Sequence, residues 1–218
     1  MAYKIIRSKR KTISLIINDT ADLIVRAPMR ITNEYVLELI VKKQKWILKK
    51  QREVLNRRKI KNQEFIDGEK FWYLGNNYEL KRGEYQEITL DRYLFLPNKY
   101  TKKELKMLTQ WYQKEALEIF FDRIRVYSEI TGWKCNKLQL SNAKKQWGVC
   151  DNSNNIKLNW RLIMAPLTII DYVVIHELAH TVEPNHSKRF WEKVAGIMPD
   201  YKIKRQWLKD NSKYLNIE

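Results

Sequence analysis

Cysteine, histidine, proline and glycine are all scarce in this chain of 218 residues. The two cysteines, Cys135 and Cys150, are too few for a disulfide framework and lack the paired spacing of a zinc ribbon, so we expect reduced thiols. No window approaches the ~20 apolar residues that a membrane span needs. The first seven residues become charged before an apolar stretch of signal-peptide length appears. These absences predict a cytoplasmic protein with no membrane span.

Aromatic residues and positive charge are abundant instead. The 8 Trp, 12 Tyr and 6 Phe residues offer enough apolar surface to exclude a fully disordered chain. The length allows one large domain or two small ones. The net charge of +17 predicts attraction to polyanions, although charge determines solubility and encounter rates rather than fold or chemistry.

The pattern of apolar residues predicts a β-hairpin and then a long helix at the start of the chain. Apolar and polar residues alternate over 12–17, and a turn-prone segment separates them from a second apolar stretch that ends at Pro28. Thr32 is a suitable N-cap, and apolar residues follow it at helical spacing. We expect this helix to run towards Lys61.

Further elements are predicted along the rest of the chain. Four short apolar segments within 70–96 are separated by turn residues and predict a small β-meander. Thr101 and Glu104 form a capping-box signature for a helix that ends near Gly132. The remaining predicted elements are strands at 138–140, 147–150 and 156–160, a helix that Thr168 and Asp171 begin, and helices around 187–197 and 201–211.

The second half of the first long helix is strongly basic. Ten Lys or Arg and one acid, Glu53, lie between 42 and 61, so +9 of the chain's +17 falls within 20 residues. One interpretation is a solvated charged helix face. The other is a basic stripe that contacts the phosphates of a nucleic acid or nucleotide. Salt-dependent binding to DNA or RNA would distinguish the two.

The strongest chemical signal is the segment His176-Glu177-Leu178-Ala179-His180 in a helix that is apolar on nearly every side. Residues i and i+4 lie one above the other on a helix, so both imidazoles can reach one ion. Glu177 can lean towards a water molecule on that ion and act as general base. This pattern predicts a metal-dependent hydrolase.

A catalytic zinc site needs three protein ligands and an open position for water. His186 is the remaining histidine, and Pro184 disfavours continuing the helix, so the chain can turn back and present His186 to the metal. Glu183 is an alternative third ligand, because sites with two His and one Glu also exist. A structural site is disfavoured, since structural zinc usually has four ligands from a Cys-rich set.

Short motifs occur along nearly the whole chain. They are Arg7-Ser8-x-Arg10-x-Thr12, Val25-Arg26-Ala27-Pro28, Lys42-Lys43-x-x-Trp46-Ile47, Trp147-Gly148-x-Cys150, Leu158-Asn159-Trp160-Arg161-Leu162, Tyr172-Val173-Val174-x-His176-Glu177-Leu178-Ala179-His180, Asn185-His186-Ser187-x-x-Phe190-Trp191 and Met198-Pro199-Asp200-Tyr201. This set resembles the YgjP-like metallopeptidase family, a zincin relative grouped with SprT-type proteases. The resemblance implies that His176, His180 and His186 bind zinc and that Glu177 is catalytic.

The expected fold class is α+β, with a zincin-like metallopeptidase core made of a small mixed β-sheet and an active-site helix. We expect a single domain over 1–218, in which 1–98 form a β-rich and helical extension and 99–218 form the core. An edge strand, either 147–150 or 156–160, would pair with an extended peptide substrate.

Other residues near the motif have expected supporting roles. The family usually has Arg-Trp-Gly-Ser-Cys where this chain has 146–150 (Gln-Trp-Gly-Val-Cys), so no catalytic role is assigned to that strand. Asn185 and Ser187 would cap the next helix, Asp171 would balance a helix dipole, and Cys150 would be a small buried hydrophobe. The aromatic residues expected to pack around the site are Trp147, Trp160, Phe190 and Trp191.

Three functions remain open. In the first, a zinc metallopeptidase acts on a peptide or protein: zinc polarises the scissile carbonyl and lowers the pKa of its bound water, and Glu177 passes the proton to the leaving amine. The second is a zinc-dependent nucleotide phosphoanhydride hydrolase, a nucleoside triphosphate pyrophosphatase. The third is a DNA-associated protease of SprT type, in which the basic stripe 42–61 docks on DNA. Histidine ligands also bind several other divalent metals.

Overall fold

The structure, a computed structural model, describes residues 3–61, 64–100, 102–143, 146–215 and 217, and the side chains of 56–61 and 213 lie outside this description. Backbone contacts divide the chain into two compact units, Met1–Gln63 and Glu64–Glu218. We call them the N-terminal unit and the C-terminal unit. The strands within 70–97 belong to the C-terminal unit, and a single domain over 1–218 stays a prediction.

A three-stranded sheet forms the N-terminal unit together with two helices. Its strands are β1 (Tyr3–Ser8), β2 (Ser14–Ile17) and β3 (Leu23–Pro28), in the order β1-β3-β2. Strand β3 pairs antiparallel with β2, which confirms the predicted hairpin, and parallel with β1, which was not predicted. The buried residues of this unit's core are Leu23, Val25, Ala27, Val36, Ile40 and Ile47.

The helical part of this unit differs from the prediction in one respect. Thr32 caps the first helix as expected, because its hydroxyl accepts the backbone N–H of Tyr35 at 3.3 Å. The prediction of one continuous helix is wrong. Helices α1 (Asn33–Lys42) and α2 (Gln44–Lys61) are separated at Lys43, whose φ of −101° and ψ of 8° leave the helical region. No Pro or Gly occurs near this break, so composition gave no signal for it.

The basic stripe 42–61 lies mainly on α2. Lys45, Lys49 and Arg52 are exposed, whereas Lys50 is half-buried and pairs with the buried Glu53 at 2.8 Å. The last basic residues of the stripe, Arg57, Arg58, Lys59 and Lys61, have side chains outside the described ones. Binding of this stripe to nucleic acid stays a prediction.

A four-stranded sheet begins the C-terminal unit. The strands are β4 (Lys70–Tyr73), β5 (Asn76–Gly83), β6 (Thr89–Leu90) and β7 (Leu94–Pro97). The strands are confirmed, but the meander is wrong: the order is β4-β5-β7-β6, and β7 runs parallel to β5. Leu94 and Leu96 make β7 the more buried of the last two strands, and it takes the inner position while the short β6 stays at the edge.

The longest helix, α3 (Glu104–Thr131), ends as predicted at Gly132, whose φ of 73° is left-handed. Thr101, the predicted cap, lies outside the described residues, and Lys103 is the N-cap position. Glu104 instead bonds Arg82 at 3.0 Å. The buried residues recur every four positions, so one face of α3 packs on the core: Leu108, Tyr112, Ala116, Phe120 and Ile124.

The second sheet of this unit has three strands, all of them predicted. They are β8 (Lys137–Ser141), β9 (Gly148–Cys150) and β10 (Asn155–Asn159). Strand β10 is central, since it pairs parallel with β8 and antiparallel with β9. Of the two segments expected to pair with a peptide, 156–160 is therefore wrong, because β10 already has neighbours on both sides. In the described part of the chain, β9 is an edge strand.

Three helices complete the C-terminal unit: α4 (Leu167–Ala179), α5 (Lys188–Ile197) and α6 (Tyr201–Asn211). Ten of the 13 residues of α4 are buried, which confirms the predicted buried helix. The predicted start at Thr168 is wrong, since Pro166 is the N-cap position. Asp171 accepts a hydrogen bond from Arg123 of α3 at 2.5 Å, so it holds two helices together rather than balancing a dipole.

The described residues thus form a mixed α+β protein with small mixed sheets and six α-helices. Helix α4 contacts α3, α5, α6 and β9. None of the helices that the structure describes has the length and apolar character needed to cross a bilayer.

Candidate metal centre

Three imidazoles converge where α4 ends. His176 lies in the last turn of α4, His180 is its C-cap residue, and His186 lies just before α5. One nitrogen atom from each ring lies within 4.8 Å of the others, and the Nε2 atoms of His176 and His186 are 3.0 Å apart. Glu183, the alternative ligand expected from the sequence, is not part of this group.

The donor set of these three rings fits a divalent cation. Two imidazole nitrogens 3.0 Å apart either share a proton or face a common cation. In a tetrahedral zinc site with Zn–N distances of ~2.0–2.1 Å, ligand nitrogens lie about 3.3 Å from each other. Three imidazoles also match the nitrogen ligands that zinc and several other divalent metals prefer.

The turn between α4 and α5 positions two of the rings. The backbone N–H of Glu183 donates to the carbonyl of Ala179 at 2.9 Å, and Pro184 follows where the helix can no longer continue. The carbonyl of Glu183 lies 3.2 Å from Nδ1 of His180. This contact favours a proton on Nδ1 and leaves the lone pair of Nε2 free for a ligand bond.

Aromatic side chains of α5 hold the three rings in place. Phe190 is fully buried and stacks on His180 with ring centres 4.5 Å apart, and Trp191 stacks on His186 at 5.6 Å. The hydroxyl of Ser187 accepts the backbone N–H of Phe190 at 3.2 Å, which confirms Ser187 as the N-cap of α5.

Of the two other aromatic residues expected near the site, Trp147 lies there and Trp160 does not. Trp147 lines the cavity above the histidines, as a residue near the site should. Trp160 is buried in the main core, where its ring lies 6.2 Å from that of Tyr112 and its Nε1–H donates to Asn142.

Burial keeps His176 and His180 neutral. It lowers the pKa of His176 to about 3, and the neighbouring His180, His186 and Arg205 act in the same direction. Burial also lowers the pKa of His180, against the opposing effect of the carbonyl of Glu183. Nδ1 of His176 is buried with no hydrogen-bond partner among the described residues. Neutral imidazole is the form that binds a metal.

The side chain of Glu177 in α4 packs closely against strand β9. A Cβ atom at Gly148 would lie 2.5 Å from Oε1 and 2.6 Å from Cγ of Glu177, so only glycine lets the strand approach so closely. Burial raises the pKa of Glu177 to about 8, and a hydrogen bond from the backbone N–H of Cys150 partly offsets this effect. A carboxyl group with this pKa is mostly protonated at neutral pH, and a cation held by the neighbouring imidazoles would favour its ionised form.

Cys150 is only half-buried, so the prediction of a small buried hydrophobe is not confirmed. Burial, with a smaller contribution from the nearby Glu177, raises the pKa of its thiol to about 11. The thiol is therefore protonated at neutral pH and is a poor nucleophile and a poor metal ligand.

A cavity of about 640 Å³ opens over this group. Its lining includes Gln146, Trp147 and Gly148, together with Arg205 and Lys209 of α6. The sequence gave no functional role to these last two residues. Their spacing of four residues places them on one face of α6, but no sequence signal connects that face to the histidines.

A comparison with known families agrees with this geometry. The model of a family described as YgjP-like, metallopeptidase domain matches residues 11–211 of the chain. The match covers His176, Glu177, His180 and His186. No curated protein and no solved structure matches the chain.

Proposed function

The chain belongs to the YgjP-like family of metallopeptidase domains, and from this premise we propose that it is a zinc metallopeptidase with a zincin-like core. The observation that carries the proposal is the convergence of His176, His180 and His186 at an open cavity, with one nitrogen of each within 4.8 Å of the others. The mixed sheet with β9 at its edge, beside a helix that bears the motif, supports the zincin-like assignment.

His176, His180 and His186 would hold the zinc and leave one coordination position open. A zinc ion bound there would polarise the scissile carbonyl and lower the pKa of a water molecule. The contacts of the rings support this role, since Phe190 and Trp191 fix the rings and the carbonyl of Glu183 orients His180.

Glu177 would act as the general base. It follows His176 directly in α4 and lines the cavity, and Gly148 and the backbone N–H of Cys150 fix its carboxyl group. From this position Glu177 would take a proton from the attacking water and deliver it to the leaving amine.

Strand β9 would bind the substrate. It pairs with β10 on one side, and within the described residues no strand covers its other side. An extended peptide can add to such an edge through backbone hydrogen bonds. The cavity begins at Gln146, Trp147 and Gly148, so a peptide paired there would lie over Glu177.

Metal analysis of the purified protein tests the ligand set before any substrate is chosen. We expect about one zinc per chain in the wild type and a large loss of zinc in His186→Ala, because two imidazoles hold the ion far more weakly than three. Lys193→Ala, an exposed position on α5, is the matched control and should keep its zinc. Full zinc occupancy in His186→Ala would contradict the assignment.

The second experiment tests the general base. Glu177→Gln should retain zinc but lose peptide cleavage by about 10²- to 10⁴-fold, because the amide cannot accept the proton. Turnover at the wild-type rate would refute the role of Glu177. Pyrophosphate release from nucleoside triphosphates, measured on the same preparations, tests the nucleotide hydrolase alternative, and activity on nucleotides alone would exclude the peptidase.

A further inference from the structure

Two cations on α6 line the same cavity as His176 and His186. Arg205 and Lys209 are both exposed, and one helical turn, about 6 Å, separates them along the helix axis. The acidic group that lines the cavity is Glu177, which is buried and bonded by the backbone N–H of Cys150. The solvent-facing charge on the cavity wall is therefore positive.

An aromatic ring holds the guanidinium group of Arg205. Its central carbon lies 5.1 Å from the ring centre of Trp191, and Tyr201 stacks on the same indole with ring centres 5.1 Å apart. A guanidinium held by its cation–π contact can keep N–H groups available for a planar, bidentate acceptor. In the part of the chain that the structure describes, neither Arg205 nor Lys209 forms a salt bridge with an acid.

The position of this pair relative to the imidazoles limits what it can contact. Trp191 also stacks on His186, with ring centres 5.6 Å apart. The guanidinium carbon therefore lies within about 11 Å of the His186 ring, a distance that three residues of an extended peptide span at ~3.3 Å each.

We propose that Arg205 and Lys209 form a subsite that binds a carboxylate of the substrate within about three residues of the scissile bond. This inference rests on the proposed peptidase function and names its substrate class. The carboxylate is either an Asp or Glu side chain or the free C-terminus of the peptide. The guanidinium of Arg205 offers two parallel N–H donors, and the ammonium of Lys209 one turn away adds a compact positive charge; together they suit a carboxylate.

Peptide hydroxamates bound to the zinc-loaded Glu177→Gln protein test the subsite without requiring catalysis. One series carries Glu at the first, second or third residue from the hydroxamate, and each member is matched with its Gln analogue. A second series compares a free C-terminal carboxylate with the amide. At one position, isothermal titration should show about tenfold tighter binding of the carboxylate form. Equal affinities within every pair would overturn the proposal.

Substitutions assign the preference to named residues. In the same protein, Arg205→Gln should remove most of the tenfold preference and Lys209→Gln should remove part of it. Arg205→Lys should keep more of the preference than Arg205→Gln does, since lysine retains the positive charge but lacks the two parallel N–H donors of the guanidinium. Arg189→Gln and Lys202→Gln, exposed positions that do not line the cavity, should change nothing. An undiminished preference in both Arg205→Gln and Lys209→Gln would overturn the subsite.

The remaining outcomes separate this proposal from the function on which it rests. A carboxylate preference in a protein whose wild type cleaves no peptide would support the subsite and contradict the peptidase. Peptide cleavage without the carboxylate preference would support the peptidase and contradict the subsite. If the protein bound no hydroxamate of either series, the subsite would be overturned, because its position is defined from the metal ligands. Displacement of the hydroxamate by ATP, lost in Arg205→Gln, would assign the cations to phosphate and overturn the carboxylate.

Discussion

The two units of this molecule divide charge and chemistry between them. Met1–Gln63 contains 17 Lys or Arg and 5 acids, which is +12 of the chain's +17, and it contains no histidine. Glu64–Glu218 contains 25 Lys or Arg and 20 acids, a net +5, together with all three histidines. Most of the net charge is therefore remote in sequence from the residues that could do chemistry, and it does not identify their substrate.

Charges also differ in how they are used. In the C-terminal unit, ion pairs such as Arg123–Asp171 at 2.5 Å and Arg82–Glu104 at 3.0 Å join different elements. Arg205 and Lys209 instead face the cavity. In the N-terminal unit, cations outnumber acids more than threefold, so most of them have no possible acidic partner within the unit. Local arrangement, rather than net charge, then determines which group each unit can bind.

The largest expected effect comes from one added methyl group in the C-terminal unit. Gly148→Ala places a Cβ atom 2.5 Å from Oε1 of Glu177, and either the buried carboxyl or β9 must shift. We expect kcat/KM for peptide cleavage to fall about 100-fold or more, because displacing a catalytic group by ~1 Å can cost that much. Zinc content should be unchanged, since the three imidazoles are not displaced directly.

Gly196→Ala is the matched control for this substitution. Gly196 lies in α5, and a Cβ atom there would contact nothing within 4 Å. Alanine should therefore leave cleavage unchanged and stabilise the helix by up to ~1 kcal/mol. If Gly148→Ala retained wild-type cleavage, the close approach of β9 would have no role in positioning Glu177.

The second prediction concerns the N-terminal unit. Reversing four charges of the basic stripe, with Lys49, Arg57, Arg58 and Lys59 all changed to Glu, should weaken DNA binding by about 30-fold and reduce its salt dependence. Lys50 is left unchanged because it pairs with the buried Glu53. Peptide cleavage should not change, because the candidate metal centre lies in the other unit.

Four reversals in the C-terminal unit give the same change in net charge. The exposed positions for this control are Lys106, Lys114, Arg189 and Lys193. If DNA binding depends on the stripe, the control affects it much less than the reversals on α2. Equal effects of the two sets, or no effect of either, would show that the stripe is a solvated surface and that the charge difference between the units has no binding role.

Local signals predicted the convergence of the three histidines and part of the fold. His176 and His180 are four residues apart in a helix, and Pro184 ends that helix before His186, so the sequence alone indicates a convergent group. The cap at Thr32 and the left-handed Gly132 are likewise local features. Each of these depends on residues that are close in the chain.

The features that sequence reasoning missed are long-range. The insertion of β7 between β5 and β6 depends on which strand buries more apolar surface, which no local pattern specifies. The contact between Gly148 and Glu177 joins residues 29 positions apart. Arg205 reaches the cavity because its guanidinium packs on Trp191, and the sequence of α6 contains no sign of that contact.

The smallest expected effect tests whether the paired charges of the C-terminal unit stabilise it. Asp171→Asn leaves the half-buried guanidinium of Arg123 without its carboxylate, and the free energy of unfolding in urea should fall by about 1–2 kcal/mol. Asp122→Asn breaks an exposed pair with Arg125 on the same helix, and it should cost less than ~0.5 kcal/mol because solvent already screens that pair. Equal losses would mean that the Arg123–Asp171 pair contributes no more to stability than a surface pair. The ion pairs of the C-terminal unit would then not stabilise it, although the N-terminal unit lacks enough acids to form such pairs.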